Sequence, residues 1–154
     1  MTRLLVVDDH AMVRRGLASM LVECFPGCEL GEAESEQGAL EQLSGPRWDL
    51  VLLDINLPGR GGLEVLQEVK ERWPRLPVLI VTSYPEEAVA VRCIRGGAAG
   101  YLTKNSAADE LAAAVHKTLA GGRYITATFT KPAPLDLRQQ IASQCEVLIE
   151  ALAD

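Results

Sequence analysis

The chain has 154 residues, 48% hydrophobic and 23% charged, with a net charge of −6 at pH 7. This composition is ordinary for a globular protein and excludes a disordered or fibrous chain. The acidic balance argues against direct nucleic-acid contact by this segment, because binding to phosphates needs a basic surface. No apolar run approaches the ~20 residues that span a bilayer, and no signal peptide is evident, which predicts a cytoplasmic location without membrane contact. The four cysteines form no CxxC pair, which favours free thiols over a disulfide or metal site.

Short apolar runs alternate with helical patterns along the whole chain up to residue 119. The predicted strands cover residues 4–7, 29–33, 50–53, 78–81 and 100–103, and the predicted helices cover 13–21, 36–43, 63–69, 86–95 and 108–119. Strands that are nearly all apolar and that each precede a helix are typical of a parallel sheet covered on both faces. The predicted fold class is therefore α/β.

The C-terminal part of the chain differs from this repeating pattern. Gly121 and Gly122 are typical of the end of a helix, so a compact domain is predicted over residues 1–122. Residues 123–134 are polar, contain two prolines and predict a linker. Residues 135–154 place apolar side chains at helical spacing, which predicts an amphipathic C-terminal tail helix that packs on its own domain or on a second copy.

Polar side chains follow four of the five predicted strands. They are Asp8 and Asp9 after the first strand, Asp54 after the third, Thr82 at the end of the fourth and Lys104 after the fifth. The carboxyl ends of parallel strands form the ligand-binding edge of such sheets, so these side chains are expected to converge. Taken singly, each could be a helix cap or a solvated loop residue. Three converging carboxylates need a cation, and their hard oxygen atoms suit Mg²⁺ with room for a phosphate beside Lys104.

Four segments resemble, in order, the signatures of response-regulator receiver domains. They are VVDDHAMVRRGL, LVLLDINLPGRGG, VLIVTSY and GYLTK, and the resemblance covers residues 3–122. The DDH triplet followed by VRRGL is most similar to the NarL/FixJ (LuxR-type) subclass. The resemblance implies a CheY-like, flavodoxin-like doubly wound sheet of five parallel strands in the order 2-1-3-4-5, with five helices.

The same resemblance implies a role for each acidic residue. Asp54 would be the phosphoacceptor, a nucleophile that takes a phosphoryl group from a phosphohistidine of a sensor histidine kinase. Asp9 and Asp54 would bind Mg²⁺ directly, and Asp8 would act partly through water. The backbone carbonyl of Asn56 would complete the metal ligands. Metal and lysine would stabilise the charge that gathers on the transferred group, so the protein would be a signalling switch and not a turnover enzyme.

Two further residues are implied as the switch. The hydroxyl of Thr82 would hydrogen-bond the phosphoryl oxygen, which Lys104 also contacts, and pull its loop inward. Tyr101 would turn into the vacated space, so that the face built from the fourth helix, fifth strand and fifth helix changes shape.

The chain also departs from the family pattern. Many receivers have proline after the lysine, whereas Asn105 follows Lys104 here, so a trans peptide is expected. Ser106 is expected to cap the fifth helix. The subclass normally carries a helix-turn-helix domain, yet only about 30 non-basic residues follow residue 122. Control of transcription would then need an output domain missing or truncated here. The subclass and the tail helix together predict a homodimer.

Three other functions compete with the phosphoacceptor switch. A Mg²⁺-dependent phosphatase of haloacid-dehalogenase type needs a second aspartate two residues after the nucleophile, where this chain has Asn56. A flavin module of flavodoxin type needs a Ser/Thr-rich phosphate loop where this chain has two aspartates. The third is a stand-alone receiver that signals by protein contact alone. His10 is expected to begin the first helix and not to act as a base.

Overall fold

The structure is a computed structural model that describes residues 2–83 and 86–125. Six strands are present in these ranges: β1 Arg3–Val7, β2 Glu29–Ala33, β3 Leu50–Asp54, β4 Val78–Thr82, β5 Gly100–Thr103 and β6 Tyr124–Ile125. Five helices are present: α1 Ala11–Cys24, α2 Glu36–Leu43, α3 Gly62–Arg72, α4 Glu87–Arg95 and α5 Ala107–Leu119. The five strand–helix pairs that the apolar periodicity predicts are all confirmed.

The strands form one parallel sheet in the order β2-β1-β3-β4-β5-β6. The predicted order of the first five strands is confirmed, but the prediction of a five-stranded sheet is wrong. The sixth strand pairs Tyr124 with Gly100 and Ile125 with Tyr101. Two residues are too few to show an alternation of apolar and polar side chains, so periodicity cannot reveal such a strand. It lies in the segment predicted as a linker; the rest of that segment and the predicted tail helix lie outside the described residues.

Alternate residues of the strands feed two hydrophobic layers, one on each face of the sheet. Leu5, Val7, Val51, Leu53 and Ile80 pack with helices α2, α3 and α4. Their neighbours in the same strands, including Leu4, Val6, Leu52 and Leu79, pack with α1 and α5. Every residue of β3 and β4 is buried. Because side chains alternate between the two faces of a strand, burial on both faces explains why the central strands are apolar up to their last residues, Asp54 and Thr82.

Two helix starts were predicted and are found at the expected residues. His10 stands at the N-cap of α1, and Ser106 stands at the N-cap of α5. The Ser106 hydroxyl makes no cap hydrogen bond and instead accepts one from Thr103 Oγ1 at 2.7 Å. The peptide bond after Lys104 is trans, as expected. Across residues 2–83 and 86–125 no helix has the length and apolar character required to cross a membrane.

Gly62 begins α3 at a point where two backbone segments touch. A Cβ added there would lie 2.4 Å from Ile55 Cα, and the Gly62 N–H donates to Ile55 O at 2.9 Å. We therefore expect Gly62→Ala to lower the free energy of unfolding by about 2 kcal/mol, as overpacking typically does. The matched control is Gly16→Ala, because a Cβ on Gly16 meets nothing within 4 Å. The control should gain about 0.5–1 kcal/mol from helix propensity. Urea denaturation of both variants measures the difference, and equal effects would show that the contact with Ile55 is unimportant.

Candidate functional site

The site lies at the carboxyl edge of four neighbouring strands. Asp8 directly follows β1, Asp54 is the last residue of β3, Thr82 ends β4 and Lys104 directly follows β5. These strands lie side by side in the sheet, and Thr82 pairs with Thr103 in the register of β4 and β5. The backbone N–H of Lys104 donates to Thr82 O at 2.7 Å, which continues this pairing past the end of β5. The fold thus brings the polar residues that follow the strands to one edge.

Asp54 is almost completely enclosed, with 2% of its surface exposed. Its Oδ1 accepts a hydrogen bond from the Asn56 backbone N–H at 3.0 Å, and its Oδ2 accepts one from Lys104 Nζ at 3.4 Å. Burial raises the pKa of Asp54 above its ordinary value, and the nearby Asp8 carboxylate adds to this rise. The Asn56 N–H and the Lys104 charge act in the opposite direction without cancelling it. Asp54 is therefore a carboxylate whose negative charge is costly at neutral pH unless further positive charge is present.

Asp8 is equally buried and is held on both sides. Its Oδ1 accepts from the His10 backbone N–H at 2.8 Å, and its Oδ2 lies 2.9 Å from Lys104 Nζ. Lys104 thus contacts both Asp8 and Asp54, with only 13% of its side chain exposed. Burial acts to lower the pKa of Lys104, but its contacts with the two carboxylates outweigh burial and raise it. Lys104 is consequently a fixed positive charge between two buried negative ones.

Four side chains offer ligand atoms that lie close enough together to hold a metal ion. Carboxylate oxygens of Asp8, Asp9 and Asp54 and a ring nitrogen of His10 all lie within 4.8 Å of one another. The three carboxylates provide the hard oxygen donors that Mg²⁺ prefers, so the residues present fit that ion. Asn56, whose carbonyl was predicted as a further ligand, is the second residue after β3, and its side-chain Nδ2 donates to Thr82 Oγ1 at 3.4 Å.

His10 is the member of this cluster that the sequence analysis did not assign to it. Its Nδ1 lies 3.2 Å from Asp9 Oδ1 and 3.5 Å from Asp8 Oδ1, and two thirds of the side chain is exposed. The available signal was its position next to two aspartates in a short loop between β1 and α1. The imidazole therefore borders the acidic cluster from the solvent side.

Thr82 and Tyr101, the predicted switch pair, are both fully buried. They lie on the adjacent strands β4 and β5, where Ile80 pairs with Tyr101. Burial raises the pKa of Tyr101 to about 12, and the Thr82 side chain is among the groups that act against the rise. The tyrosine ring packs in the layer formed with Cys93 and Ile94 of α4. Thr82 therefore interacts both with Asn56 at the acidic edge and with Tyr101, which belongs to the same core layer as the α4 residues.

Comparisons with known proteins agree with this geometry. The sequence model of the response regulator receiver domain matches residues 4–116. Response regulator GacA of Pseudomonas viridiflava is 37% identical over 126 residues, which are 82% of this chain and 59% of that protein. The chain thus spans about six tenths of the length of the curated relatives that it matches.

Two solved structures extend the comparison to the fold. A LuxR-family response regulator from Aurantimonas sp. SI85-9A1 is 33% identical, with a TM-score of 0.75, and the match covers 94% of this chain and 98% of that one. The receiver domain of the putative regulator NarL from Mycobacterium tuberculosis is 31% identical, with a TM-score of 0.71 and coverage of 78% and 97%. These matches confirm the similarity to LuxR- and NarL-type regulators. The chain belongs to the response regulator receiver domain family.

Proposed function

We propose that this receiver domain is a Mg²⁺-dependent phosphoacceptor switch in which Asp54 accepts a phosphoryl group. The observation that carries the proposal is the state of Asp54. It is a buried carboxylate at a strand end, with one oxygen fixed by the Asn56 N–H and the other facing Lys104, beside two more aspartates. A carboxylate placed in this way is oriented for attack and lies in a site where added positive charge is favourable.

The donor of the phosphoryl group is a phosphohistidine of a sensor histidine kinase. A carboxylate oxygen of Asp54 forms a bond to phosphorus while the bond between phosphorus and the histidine nitrogen breaks, and that nitrogen keeps the electron pair. The product is an aspartyl phosphate. Lys104 supplies a positive charge to one phosphoryl oxygen, and the Thr82 hydroxyl donates a hydrogen bond to another.

Mg²⁺ would be held directly by the carboxylates of Asp9 and Asp54 and by the backbone carbonyl of Asn56, and Asp8 would act partly through water. Mg²⁺ bound there would supply charge neutralisation for the phosphoryl oxygens. Asp8 also keeps Lys104 in place through its contact with Nζ at 2.9 Å. The residues of the chain therefore orient the Asp54 carboxylate. They also hold the positive charges that reduce its repulsion from the negatively charged phosphoryl group.

The consequence of phosphorylation is a change at Tyr101. When Thr82 moves toward the phosphoryl group, it leaves space beside the buried tyrosine ring, and the ring turns inward. The face formed by α4, β5 and α5 then changes shape, which is a two-state response biased by a local charge. The partners of this face are a second copy of the chain, as a homodimer, and a DNA-binding output domain, through which transcription would be controlled. These events take place in the cytoplasm, where the chain receives the phosphoryl group from the histidine kinase.

The first test is incubation of the purified chain with acetyl phosphate in the presence and absence of Mg²⁺. We expect intact-mass measurement to show a gain of one phosphoryl group only with Mg²⁺, and peptide mapping after borohydride trapping to locate it at Asp54. Light scattering on the same samples reports the dimer. Phosphate at another residue, or equal labelling in EDTA, would refute the assignment, and steady multiple turnover of a phosphomonoester would favour a phosphatase instead.

A further inference from the structure

Arg14, on the first turns of α1, links the acidic loop to the neighbouring strand. Its Nη1 donates to the backbone carbonyl of Asp8 at 2.7 Å, and its Nε donates to Glu32 Oε1 at 2.9 Å. Glu32 belongs to β2, which pairs with β1. Only 13% of the Arg14 side chain is exposed. The guanidinium group is thus fixed at two points. One of them is the backbone carbonyl of Asp8, a member of the acidic cluster.

Asp8 is the residue at which the β1–α1 loop leaves the sheet. The Asp8 N–H donates to Ala33 O at 3.0 Å, which extends the pairing of β1 with β2 by one residue. Beyond Asp8 the chain turns away toward α1, and the described residues show no further backbone pairing of Asp9 with β2. Arg14 therefore makes the contact that continues to tie this loop to β2, through Glu32.

We propose that Arg14, held by Glu32, is a positioning residue for the Mg²⁺ site. It touches neither the carboxylate of Asp8 nor that of Asp9, and it acts through the main chain that carries both. A divalent ion that demands near-ideal geometry binds more tightly when its ligands are fixed before it arrives. Arginine suits this task because its planar fork donates in two directions at once, which a lysine ammonium on a flexible stem does not reproduce. The proposal rests on the proposed function, since it takes the acidic cluster to be the Mg²⁺ site.

Electrostatics alone predicts the opposite effect for Arg14. A positive charge near a cation site repels the ion, so its removal by Arg14→Ala would strengthen Mg²⁺ binding if charge were the main influence. If Arg14 positions the loop, the same substitution weakens binding in spite of the removed charge. The sign of the change in affinity therefore separates the two explanations.

The decisive measurement is the Mg²⁺ dissociation constant of the full chain by calorimetry, with charge-conserving variants. We expect Arg14→Lys to weaken Mg²⁺ binding by about tenfold, the lower end of the range for groups that orient metal ligands. Glu32→Asp keeps the negative charge but withdraws the carboxylate from Arg14. We expect it to lower the Mg²⁺ affinity less than Arg14→Lys does. The matched control is Arg15→Lys, because Arg15 is the exposed neighbour on the same helix and makes no hydrogen bond or ion pair within the described residues.

A second readout separates positioning from general loss of stability. Hydrogen exchange of the His10 amide, which donates to Asp8 Oδ1, should accelerate in Arg14→Lys while the thermal midpoint changes little. Wild-type affinity in Arg14→Lys, or tighter binding in Arg14→Ala, would overturn the positioning role and leave the phosphoacceptor function intact if the wild type still labels at Asp54. Failure of the wild type itself to bind Mg²⁺ would overturn both proposals.

Discussion

Asp54→Asn is expected to abolish phosphoryl acceptance and, in the same variant, to make the fold more stable. The asparagine side chain has the size and shape of the aspartate but no carboxylate oxygen to attack phosphorus. It retains a carbonyl oxygen that accepts the Asn56 N–H, so the β3–α3 loop should keep its conformation. Loss of function combined with a gain of stability is what a buried charge kept for chemistry predicts.

The gain in stability follows from the pKa of Asp54, which burial raises above its unfolded value. A carboxyl group with a raised folded-state pKa contributes stability that is fully present below the unfolded pKa. That contribution is lost as the pH rises through the folded pKa. At pH 7 without Mg²⁺ the ionised Asp54 therefore opposes folding, even beside Lys104. Removing that charge should therefore raise the free energy of unfolding and the thermal midpoint, because Lys104 keeps its ion pair with Asp8 at 2.9 Å when Asp54 is neutral.

Thermal unfolding of wild type and Asp54→Asn at pH 7 and pH 4, without Mg²⁺, measures this effect. The difference between the two proteins should narrow at the lower pH, where the wild-type carboxylate takes up a proton. Asp49→Asn is the matched control. Asp49 lies just before β3, at the end of the strand away from Asp54, and its carboxylate accepts the Arg3 backbone N–H at 2.8 Å. The control should still accept phosphate and gain no stability. A phosphorylated Asp54→Asn protein, or one less stable than wild type at pH 7, would contradict our assignment.

Most of the fold could be predicted because the central strands are buried on both faces. Every residue of β3 and of β4 is buried, so each strand is a continuous apolar run up to its last, polar residue, and its boundaries are clear in the sequence. The sixth strand could not be predicted, because it consists of two residues and depends on a close approach at Gly100. A Cβ on that glycine would lie 2.3 Å from Tyr124 O. Nothing in the local pattern around Tyr124 reports a contact with a residue 24 positions away.

The strand-end residues of the site were predictable for a related physical reason. The carboxyl ends of parallel strands share one edge, so the topology alone brings Asp8, Asp54 and Lys104 together once the strand order is known. The contacts of Arg14 were not predictable, because they depend on the direction in which α1 leaves the sheet. Arg14 and Glu32 are 18 residues apart and meet only because β2 lies beside β1. Periodicity predicts faces and edges, whereas a contact between two long side chains also requires their rotamers.

Lys104→Ala is expected to slow phosphoryl transfer to Asp54 by about two to three orders of magnitude, the usual cost of removing one fixed group that stabilises developing charge. Lys104 Nζ lies 2.9 Å from Asp8 Oδ2 and 3.4 Å from Asp54 Oδ2, so it is already held beside the acceptor before any phosphoryl donor arrives. Acetyl phosphate labelling over time, followed by intact mass at saturating Mg²⁺, measures the rate. A rate within the error of the wild type would show that the lysine holds the carboxylates and takes no part in transfer.

The same substitution should also destabilise the protein, and the dependence of that loss on Mg²⁺ identifies its cause. Without Lys104 two buried carboxylates face each other with no cation, and breaking a buried ion pair in this way costs about 3–5 kcal/mol. Added Mg²⁺ should restore much of the loss if the cause is charge, and none of it if the cause is lost packing. Lys70→Ala is the control. Lys70 is also half-buried, but it lies on α3 away from the acidic edge, and its Nζ donates to Leu76 O at 2.8 Å. Its stability loss should be insensitive to Mg²⁺ and its labelling rate unchanged. A lysine that both balances the resting charges and receives the phosphoryl oxygen explains why the site keeps two aspartates buried beside a single side chain.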